Sequence, residues 1–173
     1  MLLGLVLFYV GAVLILNGLW MLSLIGEREI WVVNLFVGSL SLLAALRQAL
    51  GGDADAASVR AAAFALLFAL TYLWVAANRL TQADGRGLGW FSLFVALTAV
   101  PVAADTLRTA GTAWGLWLGL SWAAWAVLWL LFFLQLVLRK PVARLAGWMA
   151  IGQGIATGWV PGYLLLTGAI AQA

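Results

Sequence analysis

The side chains that could do chemistry are unevenly supplied, and the gaps are as informative as the presences. The 173-residue chain contains no histidine and no cysteine. Thiolate ligands, disulfides and any nucleophile that relies on a histidine base are therefore excluded. Serine, threonine and tyrosine hydroxyls are present, but no base stands ready to activate them. The acidic residues Glu27, Glu29, Asp53, Asp55, Asp84 and Asp105 fall in polar breaks or at the ends of apolar stretches. No carboxylate–cation pair is therefore expected at membrane depth, where pumps and coupled carriers place their proton and ion sites. A GxGxxxG run at Gly152, Gly154 and Gly158 lies inside an apolar stretch, without the strand and turn of a phosphate loop. These absences point away from an enzyme and from any metal or cofactor.

What the chain does supply is aromatic surface at helical spacing. Trp114, Trp117, Trp122, Trp125 and Trp129 fall within an arc of about 140° at helical periodicity. The first two sit near a span end, where an interfacial aromatic belt accounts for them. Trp125 falls near mid-span, flanked by Trp122 and Trp129, and a belt does not explain that depth. Phe64, Phe68, Thr71, Tyr72, Val75 and Asn78 make a second face within about 120°. Leu3, Leu7, Val10, Leu14 and Asn17 make a third. Buried Asn and Tyr groups need hydrogen-bond partners that lipid does not offer. Two readings stay open here: tight core packing, or the wall of a water-filled passage.

The elements that carry these faces follow from composition. Hydrophobic residues make up 66% of the chain and charged residues 9%, too apolar for a small soluble domain. About 20 apolar residues cross a hydrocarbon core, and six stretches qualify: 2–25, 30–49, 59–78, 88–104, 113–138 and 142–170. The expected architecture is an all-α integral membrane protein, one six-transmembrane-helix bundle over residues 1–173. Pro101 falls in the fourth span, and proline is tolerated near a membrane-helix end, where neighbours satisfy the freed carbonyl. The N-terminal apolar run lacks a basic lead and is too long for a signal-peptide core, so it is read as a retained first helix.

Nine basic residues give a net charge of +3, but they are scattered between apolar stretches and do not form a nucleic-acid surface. Six spans place Arg47, Arg60 and Arg108 on the face that holds the termini. Arg28, Arg79, Arg86, Arg139, Lys140 and Arg144 fall on the other. The positive-inside rule then makes the second face cytoplasmic and puts both termini outside. Gly4, Gly11 and Gly18 recur every seven positions, and Gly154, Gly158 and Gly162 form GxxxGxxxG. Such stripes mark close helix contact, within one subunit or between subunits.

Six stretches in order resemble a known family: GLVLFYVGAVLILNG, NLFVGSLS from Asn34, LLFALTYLWVAAN from Leu66, GWFSLFVALTAVP from Gly89, SWAAWAVLWL from Ser121 and GIATGWVPG from Gly154. Together the chain is similar, almost end to end, to bacterial acid-activated urea channels and short-chain amide transporters, and nearer the amide-transporter branch. The resemblance implies a hexameric ring in the bacterial inner membrane, with a pore in each protomer. It implies a pore lining of Leu3, Leu7, Val10 and Leu14 from the first helix, and of Phe68 and Tyr72 from the third. Trp125, Leu128 and Trp129 follow from the fifth helix, with Trp122 beside them. Gln153 stands where the acid-activated branch has a glutamate. The short break GGDADAAS carries no histidine, so a histidine-based acid gate is not expected.

On this resemblance the solute is urea or a small amide such as acetamide. Both are flat, neutral and polar. A slot between aromatic rings admits such a molecule, with ring faces and the Trp N–H and Tyr O–H groups offering contacts. Apolar walls offer hydrated ions no substitute for their shell. The competing expectations are an ion-coupled amide transporter and a non-transporting structural membrane subunit.

Overall fold

The computed structural model describes residues 1–170, and these contain helices and no strand. The last three residues of the expected domain lie outside the described residues. Five helices are long and apolar enough to cross a membrane: α1 (Leu2–Met21), α2 (Ile30–Leu50), α3 (Ala56–Thr81), α4 (Arg86–Thr109) and α5 (Ala113–Leu136). A sixth stretch runs without a gap through α6 (Ala143–Gln153), a π-helical segment (Gly154–Trp159) and α7 (Val160–Leu166). At ~1.5 Å per residue its pieces together rise about 35 Å, enough to cross a hydrocarbon core.

The boundaries shift for identifiable reasons. α1 stops at Met21, four residues short of expectation, where Ser23 takes a left-handed φ of 64°. α3 starts three residues early because Asp55 and Ser58 form a reciprocal cap: the Asp55 carboxylate accepts from the Ser58 N–H and the Ser58 hydroxyl accepts from the Asp55 N–H, each at 2.8 Å. α4 runs through Pro101 to Thr109, five residues beyond the expected end. Proline removes one donor, yet the helix continues on both sides of it, as membrane helices tolerate.

Close backbone packing passes from α1 to α2, α2 to α3, α3 to α4, α4 to α5, α5 to α6 and from the sixth stretch back to α1. The helices thus close a ring. The outward surface is apolar, with Val32, Phe36 and Leu43 of α2 and Trp90, Phe94 and Leu97 of α4 all more than half exposed. An exterior of that kind suits lipid and not water. The protein is a multi-pass membrane protein.

The two glycine stripes meet each other inside the ring. A Cβ on Gly11 would strike the backbone of Trp159, and one on Gly158 would lie 2.5 Å from the backbone of Gly11. The stripes thus let α1 and the sixth stretch touch backbone to backbone within one chain.

Candidate functional site: a cavity series inside the helix ring

α1, α3 and α5 carry the faces singled out in the sequence, and they look onto the middle of the ring. Three cavities follow one another there. The larger one, about 650 Å³ and labelled outer only for lying on the side of the ring that holds the start of α1, is lined by the N-terminal halves of α1, α3 and α5 and the C-terminal end of α4. The inner one, about 80 Å³, lies among the C-terminal halves of α1, α3 and α5 and the start of α4. Between them is a void of only about 20 Å³. Phe68 and Trp125 line both the outer cavity and the void, while Leu14, Thr71, Tyr72 and Phe132 line both the void and the inner cavity. The series therefore shares its walls from one face of the ring to the other.

The narrowing is built from rings locked edge to face. The Phe68 ring lies 4.9 Å from Trp125 and 4.7 Å from Trp129, at interplanar angles of 82° and 62°. Trp122 packs edge-on against Trp125 at 5.2 Å and Phe64 at 5.6 Å. These geometries are the favoured ones for aromatic pairs. A cavity needs about 10–15 Å³ of such volume per water, so the central void holds roughly one. In this conformation it has room for nothing larger, and the rings separate the two cavities.

Hydrogen bonds fix the tryptophans and correct one expectation. The Trp125 Nε1–H donates to Thr157 Oγ1 at 2.9 Å, and the Trp129 Nε1–H to Thr71 Oγ1 at 3.3 Å. Both threonine hydroxyls donate to helix carbonyls, Gln153 O and Leu67 O, each at 2.7 Å. The indole N–H groups of Trp125 and Trp129 therefore orient the rings and are not free for a solute.

The π-helical segment explains Trp117, which sequence reasoning assigned to an interfacial belt. In the segment's i→i+5 register the Val160 N–H bonds Ile155 O. The next donor, to Ala156 O, would come from Pro161, which has no N–H. The Trp117 Nε1–H occupies that carbonyl instead, at 3.1 Å. Together Trp117 and Trp125 tie α5 to the segment.

The expected site residues fall as follows. Leu3, Leu7, Val10, Phe68, Trp122 and Trp125 line the outer cavity; Leu14, Tyr72, Leu128 and Trp129 join at the void. Gln153 departs from expectation. It lines none of these cavities, and its Nε2–H donates across to Ala124 O of α5 at 2.9 Å. Asn17 lines the inner cavity, but its carboxamide is engaged with Asn34 in two bonds of 3.0 and 2.6 Å. Sequence reasoning missed Phe132, although its spacing of three from Trp129 and seven from Trp125 puts it on the same face. It also missed Thr157, for which an isolated polar residue in an apolar helix is the one available sign.

Charge is confined to the ends. Arg60 and Asp105 line the outer cavity. At the inner end Arg79 sits 3.5 Å from the Glu27 carboxylate and 5.2 Å from the Trp20 ring centre. Among the described residues no group of three or more His, Cys, Asp or Glu side chains could hold a metal ion.

A model of the AmiS/UreI family of transporters matches residues 2–169. A Mycolicibacterium smegmatis protein named for transport of amidate substrates is 42% identical over 167 residues, covering 95% of this chain and 76% of its own. The acid-activated urea channel of Helicobacter pylori strain ATCC 700392 / 26695 is 37% identical over 188 residues, covering 94% and 96%. A cryo-EM structure of the H. pylori urea channel in its closed state superposes with a TM-score of 0.86 at 37% identity, covering 98% of this chain and all of that one. A crystal structure of that channel gives 0.84 at 38%, covering 99% and 100%. With nearly its whole length matched in both sequence and fold, the chain belongs to the AmiS/UreI transporter family.

Proposed function

We propose that the protein is a passive channel for urea and short-chain aliphatic amides such as acetamide. The observation that carries this reading is the series of three cavities with shared walls, whose narrowest part has no charged lining residue. A neutral solute needs no counter-charge at depth, whereas an ion would lose hydration there without replacement. The aromatic narrowing favours a planar molecule. The relatives support the solute class, since one is named a urea channel and another for amidate transport. The pore lining is Leu3, Leu7, Val10, Leu14, Phe68, Tyr72, Trp122, Trp125, Leu128 and Trp129, with Gln153 holding α6 against α5 instead of facing solute.

The protein works in the bacterial inner membrane, surrounded by lipid, with both termini outside. The six-to-three distribution of basic residues supports that orientation. Its assembly is a homo-hexamer with one pore per protomer, and native mass spectrometry from mild detergent reads the subunit number directly. It is not an enzyme. Uptake of labelled urea into proteoliposomes tests the mechanism: entry reaches equilibrium, stops there, and ignores ion gradients. Accumulation above equilibrium driven by a proton or sodium gradient would establish a coupled carrier instead.

A further inference from the structure

A slot of aromatic rings admits flat molecules, and guanidinium is as flat as urea and isosteric with it, differing in its positive charge. A guanidinium group is more weakly hydrated than an ammonium and stacks on aromatic faces, so desolvation alone bars it less. Ring faces attract cations, and Phe68, Trp122, Trp125 and Trp129 line the approach to the narrowing or the narrowing itself. Shape therefore does not separate guanidinium from urea, and a fixed charge must.

Arg79 is placed to supply it. Among the described residues lining the inner cavity it is the one that carries a charge. The outer cavity holds Arg60 and Asp105, of opposite sign, and the central void holds no charged residue. Arg79 reaches from α3 toward the end of α1, where its guanidinium carbon lies 5.2 Å from the centre of the Trp20 ring. Trp20 lines the same cavity, so an indole face that would attract a cation there is already taken. The Glu27 carboxylate lies 3.5 Å from Arg79, but its side chain is 69% exposed against 21% for Arg79. Glu27 lines none of the three cavities. The carboxylate is thus screened by water while the guanidinium stands at the cavity wall. This end of the ring carries six basic residues against Glu27, Glu29 and Asp84, which adds to the same field.

We infer that Arg79 is the charge filter of the pore, a fixed cation at the inner mouth that rejects guanidinium and other small organic cations. A positive charge beside a narrow passage raises the energy of every cation there and acts only weakly on a neutral solute. This rests on the channel reading and deepens it: the rings select by shape, and Arg79 selects by charge.

Labelled guanidinium and labelled urea are followed into the same proteoliposomes, with the membrane potential clamped at zero by potassium and valinomycin. The readout is the guanidinium-to-urea rate ratio, which should be low in the parent. In Arg79→Met, which keeps an apolar stem against Trp20, the ratio should rise about tenfold, the order of effect of one unit charge a few ångströms from a partly hydrated ion. Arg79→Lys keeps the charge and should stay near the parent. Glu27→Gln removes only an exposed carboxylate, so it should assemble normally and its ratio should hold or fall. An ion pair that mattered only for the fold would instead make Glu27→Gln behave like Arg79→Met. A parent that passes guanidinium as fast as urea, an unchanged ratio in assembled Arg79→Met, or a raised ratio in Glu27→Gln would each overturn the filter and leave urea flux standing. A parent that passes no urea above protein-free liposomes would sink the channel reading, and the filter with it.

Discussion

At the scale of single residues, function turns on how few side chains set the narrowing. Phe68 sits at its centre, touching Trp122, Trp125 and Trp129 edge to face. Truncating one of these rings trades selectivity against stability. Trp129→Ala should cost about 3–5 kcal/mol and admit bulkier amides. Trp129→Phe should retain most of the stability while removing the N–H that Thr71 Oγ1 accepts, its own bond to Leu67 O remaining, and osmotic-swelling assays across an amide size series separate the two outcomes. The pH behaviour is also a residue-scale matter. The Arg47 guanidinium hydrogen-bonds Asp53 and holds its carboxyl below the ordinary range; the Ser58 backbone N–H does so for Asp55, and that of Arg86 for Asp84. Depressed carboxylates contribute above their unfolded values and lose that contribution only as pH falls through the lower folded ones. These three therefore stay ionised at pH 5, and no histidine titrates above them. Flux should be the same at pH 5 and pH 7.5, unlike that of a channel activated by acid. A steep rise on acidification would show a proton sensor elsewhere in the chain.

At the scale of elements, the long helices were legible because length and apolarity alone define a crossing. The faces of α1 and α3 were legible too. Leu3 to Asn17 and Phe64 to Asn78 all line the cavities, since helical periodicity leaves few other arrangements. The sixth stretch was legible only as a span. Its π-helical turn leaves no mark in hydropathy, since the i→i+5 register changes no residue's polarity; it lies just before Pro161 and against Gly11. The function of Trp117 and Thr157 was hidden for the same reason. Thr157 joins that turn to the narrowing through Trp125. Thr157→Val should therefore leave the indole N–H unpaired, destabilise by about 1–3 kcal/mol and alter flux. Trp125→Phe in the same chain removes the orphaned donor, so the double variant should be less destabilised than the sum of the singles. Strict additivity in thermal or denaturant unfolding would mean the bond does not couple the two.

At the scale of the whole molecule, the ring of six spans is closed by α1 against the sixth stretch, and its middle is left open as cavities. That hollow was not legible in the sequence, where aromatic faces fit a filled core equally well. The central claim is that solute passes through this hollow and by no other route. The absence of cysteine makes one measurement decisive. Val10 lines the outer cavity beside Phe68 and Trp125, and Val10→Cys is a near-isosteric change that introduces the sole thiol. Urea permeability of Val10→Cys proteoliposomes is measured by stopped-flow light scattering before and after treatment with an aryl methanethiosulfonate, then after reduction. The expected result is parental permeability, a fall to that of protein-free liposomes on labelling, and recovery with reductant. Full permeability in quantitatively labelled protein would contradict the account, because the solute would then be crossing by another route.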